Sequence, residues 1–301
     1  MEQFPTREQV LDIIEQHAPE KLKPILDVHL KPAIAVLTTD AANSEIAIGA
    51  SKIGGAPDLP GNFDWPVWNE EPLGFLAQFD LSEVHPFDLQ SELPSSGLLS
   101  FFYAIEDQPW GFPKDAGAWK VFYWPEDVAV ARRTLPDNIE ERNTLPACSI
   151  GFAVEWLWPD LNAAEMVNVE LDVDDEEDEA EEQEAYYDLI DAMALARPIG
   201  PRHRLLGFAD AVQDDVPYSC YIDMFGEKKK EDEESLDFYK RVLQEGANQW
   251  RLLFQLDSYT NRADLSKGWS WGDVGMIYFC IHEDDLKARR FDNVWLQLQC
   301  G

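Results

Sequence analysis

The sequence predicts an α+β protein built from two similar β-rich halves, with helices around them. Three observations carry this prediction: a high apolar content, a series of strand-like runs that occurs twice in the same order, and helix-forming segments outside those runs. Hydrophobic residues make up 45% of the 301 residues and include 11 Trp and 16 Phe, so the chain can bury a core. We expect largely antiparallel sheet in one compact, pseudo-symmetric body with peripheral helices.

The first 45 residues predict a lead-in of helices and a strand. Thr6 and Gln9 form a capping-box pattern in front of an apolar stripe, which predicts that a helix begins at Thr6. A second short helix is expected over residues 22–30, because prolines stand in its first turn and after its end. Residues 34–37 and 46–48 read as two strands joined by a turn.

Residues 46–165 and 199–301 are predicted to be two repeats of one unit. In both, a Gln-x-Asp strand is followed by a strand that begins at a glycine. The separation is 19 residues from Gln78 to Gly97 and 20 residues from Gln255 to Gly275. An ordered series with nearly equal spacing indicates an internal duplication. The matching runs are 53–57, 76–80, 97–102 and 119–124 in the first repeat, and 205–208, 253–257, 275–281 and 294–300 in the second.

Between the repeats we expect an acidic linker and a helix over residues 166–198. The stretch 170–184 holds eleven carboxylates and no Lys or Arg, and charges packed this densely repel, which predicts a solvated, mobile segment. Residues 186–196 are expected to be helical up to Pro198. The second repeat carries a further predicted helix in an insertion over residues 227–246, where charged residues precede an amphipathic pattern.

The charge and the cysteines bear on the class of protein. The formal net charge of -34 repels nucleic-acid phosphates and anionic membranes and attracts basic proteins, so we expect no nucleic-acid and no membrane partner. The N-terminus lacks the pattern of a signal peptide, which leads us to expect a cytoplasmic protein. The four cysteines lie far apart and are expected to be reduced core residues.

The motifs of these runs resemble those of the YwqG family of uncharacterised bacterial proteins. The resemblance is carried by Ile53-Gly54-Gly55-Ala56-Pro57-Asp58-Leu59-Pro60 with Trp65-Pro66, by the strand 75–80, and by the C-terminal segments 253–257, 271–275 and 295–300. It covers roughly residues 46–300. The resemblance implies an α+β fold with internal duplication, and it brings no established reaction or catalytic residue.

Two polar pairs are the first candidates for a binding site. Gln78 and Asp80 project from one face of their strand, and Gln255 and Asp257 project from the corresponding face of theirs, because side chains alternate along a strand. One interpretation places all four in a cleft between the repeats, where they would contact a ligand. The alternative is that they order the neighbouring loops or face water.

The second candidate is the segment that links two strands of the second repeat, residues 258–274. Trp269, Trp271 and Asp273 could present two aromatic faces and a carboxylate to a ligand or a partner protein. The alternative is that both indoles close the end of the core and that Asp273 caps a turn. No catalytic or metal-binding motif stands out among the five histidines and four cysteines, so we expect no catalytic residue, no metal and no cofactor.

Two functional hypotheses follow from these observations. The first is a non-catalytic protein-interaction module that binds a basic partner protein, as an immunity-type or regulatory protein does, because an acidic surface associates rapidly with a basic one. The second is an enzyme or a small-ligand binder that uses the cleft between the two repeats. A flat acidic face with exposed aromatic residues favours the first, and a deep cavity with polar walls favours the second.

Overall fold

The computed structural model describes residues 3–161, 163, 166, 176–260 and 268–301, and within them the fold is α+β, as predicted. The helices are α1 (Arg7–His17), α2 (Lys23–His29), α3 (Leu81–Val84), α4 (Glu176–Ala196), α5 (Val216–Phe225), α6 (Ser235–Glu245) and α7 (Glu283–Lys287). The strands are β1 (Lys31–Asp40), β2 (Lys52–Ile53), β3 (Asp58–Pro60), β4 (Val67–Trp68), β5 (Glu71–Pro72), β6 (Gly74–Asp80), β7 (Leu98–Tyr103), β8 (Trp119–Trp124), β9 (Val130–Arg132), β10 (Cys148–Leu157), β11 (Arg204–Leu205), β12 (Trp250–Asp257), β13 (Tyr259–Thr260), β14 (Gly268–Trp269), β15 (Met276–His282) and β16 (Trp295–Gln299).

One antiparallel sheet of ten strands organises the chain. Its order is β16-β15-β12-β11-β1-β10-β2-β6-β7-β8, with the two long strands β1 and β10 paired at the centre over ten residues each. Outward from that pair, each side continues with a short strand, the Gln-x-Asp strand, the strand after the glycine and the last strand of its repeat. Strand β1 pairs with β11, and β10 pairs with β2. The central pair therefore connects the two sets of outer strands.

The sheet curls until its two edges meet. The indole Nε1 of Trp119 in β8 donates to the carbonyl of Val294 beside β16 at 2.8 Å, and the ring centroids of Trp119 and Trp295 are 5.0 Å apart. The segment around Gly111 lies along the outer edge of β16, where the Leu298 amide donates to the carbonyl of Trp110. The sheet is therefore nearly closed, and its concave side is an enclosed core.

Phenylalanine side chains from both halves fill this core. Phe79 of β6 contacts Phe254 of β12 with ring centroids 5.0 Å apart, and Phe101 of β7 lies 4.8 Å from Phe254 and 5.0 Å from Phe279 of β15. All four are fully buried. Burying such rings is the main stabilisation of a fold of this kind, at about 1.5–3 kcal/mol for each side chain. The halves thus share one core.

Helices cover the convex side in two places. α1, α2 and α4 form a cluster around Leu22, Leu26 and Leu189, next to the end of β10. α5 and α6 cover the outer side of β12 and β15, where Val216 and Val242 are fully buried. Within the described part of the chain, none of the helices is long and apolar enough to cross a membrane.

The sequence predicted most of these elements. α1 begins after Thr6, whose hydroxyl oxygen accepts from the amide of Gln9 while the Gln9 side chain accepts from the amide of Thr6, so the capping box is confirmed. α2, α6 and the strands of both runs lie where they were expected. All four cysteines are buried and free, which agrees with the reading of core thiols.

Two expectations about elements are wrong. Residues 46–48 are not a strand, because the backbone of 42–50 turns and three of its carbonyls accept hydrogen bonds from the Arg132 side chain. α4 begins at Glu176, inside the run that we expected to be a mobile linker; Glu and Ala are strong helix formers, and acidic groups stabilise the first turn. Residues 170–175 of that run lie outside the described part.

Candidate functional site

The two Gln-x-Asp strands do not meet in a cleft. Gln78 and Gln255 are both fully buried, on the convex side of the sheet, and phenylalanine rings fill the space between the halves. Each glutamine contacts its own set of partners. The prediction of a shared cleft is therefore wrong, because strand alternation turns the glutamines away from the side on which the halves face each other.

In the first half, Gln78 belongs to a closed polar network. Its side-chain oxygen accepts from the amide of Asp58 at 2.9 Å, and its Nε2 donates to Asp58 Oδ2 at 2.7 Å and to the carbonyl of Ala50 at 2.8 Å. Lys52 Nζ lies 3.4 Å from Asp58 Oδ2, and burial lowers the pKa of Lys52 to about 8. Arg132 Nε donates to Asp58 Oδ1 at 2.5 Å.

In the second half, Gln255 makes the corresponding contacts. Its side-chain oxygen accepts from the amide of Asp210 at 2.9 Å, and its Nε2 donates to Asp210 Oδ2 at 3.1 Å and to the carbonyl of Arg202 at 2.6 Å. Arg204 stands where Lys52 stands in the first half, opposite the glutamine in the neighbouring strand, with the aspartate six residues further on. Arg204 Nη1 donates to the carbonyl of Phe208, as Lys52 does to that of Ala56.

The two aspartates of the Gln-x-Asp strands order neighbouring backbone. Asp80 caps α3, since its Oδ1 accepts from the amide of Ser82 at 2.9 Å. Asp257 Oδ2 accepts from the amide of Arg202 at 2.8 Å, and burial raises the pKa of Asp257. These contacts correspond to the alternative in which the polar pairs order loops.

Both tryptophans of the second candidate segment are buried. Trp271 is fully buried and packs edge-on against Tyr103, with ring centroids 5.8 Å apart. Trp269 is 8% exposed, stacks on His203 and donates from Nε1 to the carbonyl of Asp257 at 2.8 Å. Their placement favours the packing alternative, because neither ring has a face at the surface. Asp273 is exposed at a turn, and residues 261–267 of this segment lie outside the described part.

A cavity of about 500 Å³ lies beside the second network, and we call it the junction cavity. It is bounded by β1, the end of β10, the C-terminal half of α4 and the chain from 197 to 211. Its volume is typical of sites that bind small molecules. The lining consists of Phe4, Ala35, Val36, Leu37, Glu155, Trp156, Leu157, Trp158, Asp160, Tyr186, Ile190, Met193, Ala194, Arg197, Pro198, Ile199, Gly200, Pro201, Arg202, His203, Arg204, Phe208, Ala209, Asp210 and Ala211.

A buried ion cluster forms one wall of the junction cavity. Arg204 Nη2 lies 2.6 Å from Asp210 Oδ2 and 3.2 Å from Glu155 Oε2, and Arg197 pairs with the other oxygen of Glu155. Arg204 and Glu155 are each 1% exposed. Arg202 is held more loosely, with its Nη1 3.7 Å from Asp210 Oδ1 and a side chain that is 49% exposed.

Burial and neighbouring charges set the protonation states in this wall. Burial alone would raise the pKa of Asp210, but the charges of Arg204, Arg202 and Arg197 outweigh it and hold that pKa below its usual value. Burial lowers the pKa of His203 to about 3, which makes the imidazole neutral at physiological pH. His203 Nδ1 accepts from the amide of Asp257 at 3.0 Å, so its proton is on Nε2.

Sequence reasoning missed this wall, although the sequence held two signals for it. Arginines stand at 197, 202 and 204, close together in a very acidic chain. Asp210 follows Arg204 at the spacing at which Asp58 follows Lys52, which an alignment of the two repeats would have exposed. Across the described residues, no group of three or more His, Cys, Asp or Glu side chains is placed to hold a metal ion.

Comparison with known proteins places the chain in a family of domains. Residues 51–300 match the family described as a domain of unknown function, DUF1963, and the chain belongs to that family. No curated protein matches the chain significantly. The finer resemblance to the YwqG family stays a prediction.

Proposed function

We propose that this DUF1963 protein binds a small molecule and that the junction cavity is its site. This is the second hypothesis from the sequence, except that the proposed site lies next to Arg204 and not in a cleft between the two repeats. The observation that carries it is a cavity of about 500 Å³ with a buried ion cluster in its wall. Buried charges cost several kcal/mol each, and ionisable groups with strongly perturbed pKa values cluster at functional sites.

The groups in the wall support binding rather than catalysis. The low pKa of His203 leaves it a poor base, and its Nδ1 is engaged by the amide of Asp257. The arginines around Asp210 hold the pKa of that carboxyl below its usual value, so it is a weak base. The described lining contains no Ser, Thr, Cys or Lys that could act as a nucleophile.

A fragment screen with a cavity-filling variant tests this proposal. Ala194 on α4 lines the junction cavity, and Ala194→Phe places a ring in it. Ala192→Phe adds the same ring to the same helix outside the lining. Ligand-observed NMR with several hundred small fragments should give binders for the wild type and for Ala192→Phe that are lost with Ala194→Phe. If no fragment is lost with Ala194→Phe, the cavity is not a ligand site.

A second candidate is the interaction module for a basic protein, which the net charge of -34 supports. Trp269 and Trp271 are buried, so the exposed rings available as anchors are others, such as Trp110 and Phe112, at 39% and 46% exposure. The test is the association rate with a basic partner recovered from cell extract, measured at two salt concentrations. A steep fall of the rate with salt supports this candidate, and a rate that is independent of salt contradicts it.

We also infer that the two halves arose by duplication. Support comes from the sheet order, from the matching hydrogen bonds of Gln78 and Gln255, and from a bulge at the same place in both strands, at Leu76 in β6 and at Leu253 in β12. Loops that precede the short strands differ most: residues 42–50 in the first half correspond to a segment with α4 in the second. The junction cavity lies beside that longer segment.

A further inference from the structure

We propose that the ligand of the junction cavity is a small organic anion, a carboxylate on an apolar body, and that Arg202 is its main charge partner. This inference rests on the proposed function and names the class of ligand. Three observations carry it: hydrogen-bond donors without acceptors, a loosely held arginine in the wall, and a comparison with the closed network of the first half.

The wall holds buried donors that have no acceptor among the described residues. His203 is 2% exposed, and its protonated Nε2 has no hydrogen-bond partner in that part of the chain. The same holds for Nε of Arg204, which is 1% exposed and always carries its proton. An unsatisfied buried donor costs about 1–3 kcal/mol. Both groups are donors, so what completes this wall is an acceptor.

The three arginines of the ion cluster differ in how firmly they are held. Arg197 and Arg204 each lie in close contact with a buried carboxylate, Glu155 or Asp210. Arg202 is the least engaged of the three, with a single ion contact at 3.7 Å among the described residues and a half-exposed side chain. A guanidinium placed in this way can turn to a carboxylate and bind it through two parallel hydrogen bonds.

The first half shows what a closed version of this network looks like. There Asp58 is fully buried, and Arg132 pairs with it and donates to the carbonyls of Asn43 and Ile46. Among the described residues, none of the buried side-chain polar atoms of this closed network lacks a partner, whereas the second half leaves His203 Nε2 and Arg204 Nε without one. The part that the second half lacks is therefore an acceptor.

The other walls of the junction cavity indicate the chemistry of the rest of the ligand. Trp156, Trp158, Ile190 and Phe208 line the junction cavity and favour an apolar, preferably aromatic, body. A dianion such as a phosphate ester would meet stronger repulsion than a monoanion from a protein of net charge -34. A carboxylate is therefore the anion that this wall fits.

The test uses matched triplets: arylalkanoic acids, their primary amides and the amines of the same length. Affinities are measured by NMR titration at low salt for the wild type, Arg202→Gln, Arg202→Lys and the control Arg142→Gln, which removes an exposed guanidinium elsewhere. We expect the acids to bind at least about tenfold more tightly than the amides, because a charge-assisted pair is added. Arg202→Gln should remove that preference, Arg202→Lys should retain only part of it because an ammonium cannot form the two parallel hydrogen bonds, and Arg142→Gln should leave it unchanged.

The outcomes separate this inference from the proposed function. If amides or amines bind as tightly as the acids, and this binding is lost with Ala194→Phe, the cavity is a ligand site but the anion inference is wrong. If acids are preferred and Arg202→Gln does not change the preference, the role of Arg202 is wrong. If no member of the triplets is sensitive to Ala194→Phe, the inference fails together with the proposed site. Circular dichroism and the melting temperature of each variant confirm that the fold is retained.

Discussion

Arg204 joins three segments of the chain at one point. It lies on β11, its Nη2 contacts Asp210 after that strand, and it also contacts Glu155 on β10. Removing one member of a buried ion cluster leaves the remaining charges buried and unpaired. The free-energy cost of those unpaired charges is larger than the net stabilisation that the intact cluster provides. The stability of this region thus depends on a residue that also lines the proposed site.

We predict that Arg204→Met lowers the free energy of unfolding by about 3–5 kcal/mol, because Asp210 and Glu155 lose a buried partner. Urea unfolding measures the change. Arg142→Met, which removes an exposed ion pair with Glu106, should change the same quantity by less than about 1 kcal/mol. Equal effects of the two substitutions would contradict the account of the buried cluster.

His203 makes stability depend on pH. Its pKa is about 3 in the folded protein and about 6.5 in the unfolded chain, so between these values the unfolded state takes up a proton that the folded state does not. The free energy of unfolding should therefore fall as the pH falls below 6.5, by about 1.4 kcal/mol for each pH unit from this residue. The raised pKa of Asp257 acts in the opposite direction, which makes a difference measurement necessary.

We predict that His203→Asn removes this part of the pH dependence, since the amide oxygen can still accept from the Asp257 amide. Urea unfolding at several pH values from 4 to 7 gives the slope for the wild type and the variant. The slope of the wild type should be steeper by about 1.4 kcal/mol per pH unit between pH 4.5 and 6. Parallel slopes would mean that His203 titrates normally in the folded state.

At the scale of elements, the contact between the two sheet edges depends on Gly111. Its φ is +96°, and a Cβ at this position would lie 1.9 Å from the carbonyl oxygen of Leu296 in β16. Gly117 has a similar φ of +99°, but the nearest atom to its Cβ would be Trp68 Cδ1 at 3.4 Å. Comparing substitutions at the two glycines therefore separates the cost of the backbone conformation from the cost of a clash at the edge of the sheet.

We predict that Gly111→Ala destabilises the protein by at least about 2 kcal/mol more than Gly117→Ala. Both substitutions pay about 1–2 kcal/mol for the left-handed conformation, and only the first also pushes the 108–112 segment away from β16. Thermal and urea unfolding compare the two variants. Similar losses would show that the edges of the sheet do not depend on this approach.

Elements could be predicted from the sequence where local pattern decides them. The capping box at Thr6 and the alternation around Phe79 and Phe254 predicted α1, β6 and β12. Residues 46–48 were wrongly predicted as a strand because their apolar content resembles one. Arg132, which lies 84 residues or more away in sequence, holds their backbone in turns. α5 was missed because its apolar residues follow no strong helical pattern, although Pro217 stands in its first turn.

The candidate site could not be predicted in the same way. The polar pairs around Gln78 and Gln255 were recognised, but which side of the sheet they face depends on how the whole sheet curls. The ion cluster joins Glu155 to Arg197 and Arg204, which lie more than 40 residues further along the chain, and no local pattern predicts such pairs. Trp269 and Trp271 were interpreted from residue type alone, which does not distinguish a core residue from a surface anchor.

At the scale of the whole molecule, one strand pairing and a shared core join residues 199–301 to the rest of the chain. β1 pairs with β11, and the rings of Phe79 and Phe254 belong to one core. We predict that residues 199–301 expressed alone do not fold, because their apolar face is uncovered, and that co-expression with residues 1–198 restores a folded complex. Gel filtration and circular dichroism measure this. A folded 199–301 fragment would contradict a shared core.

The most direct test of the central claim is a high-resolution crystal structure of the protein with the arylalkanoic acid that binds most tightly. We predict electron density for the acid in the junction cavity, with its carboxylate within hydrogen-bond distance of the Arg202 guanidinium and its ring against Trp156 or Trp158. Density for the acid elsewhere on the protein, with only ordered water beside Arg204 and His203 in the cavity, would contradict the claim.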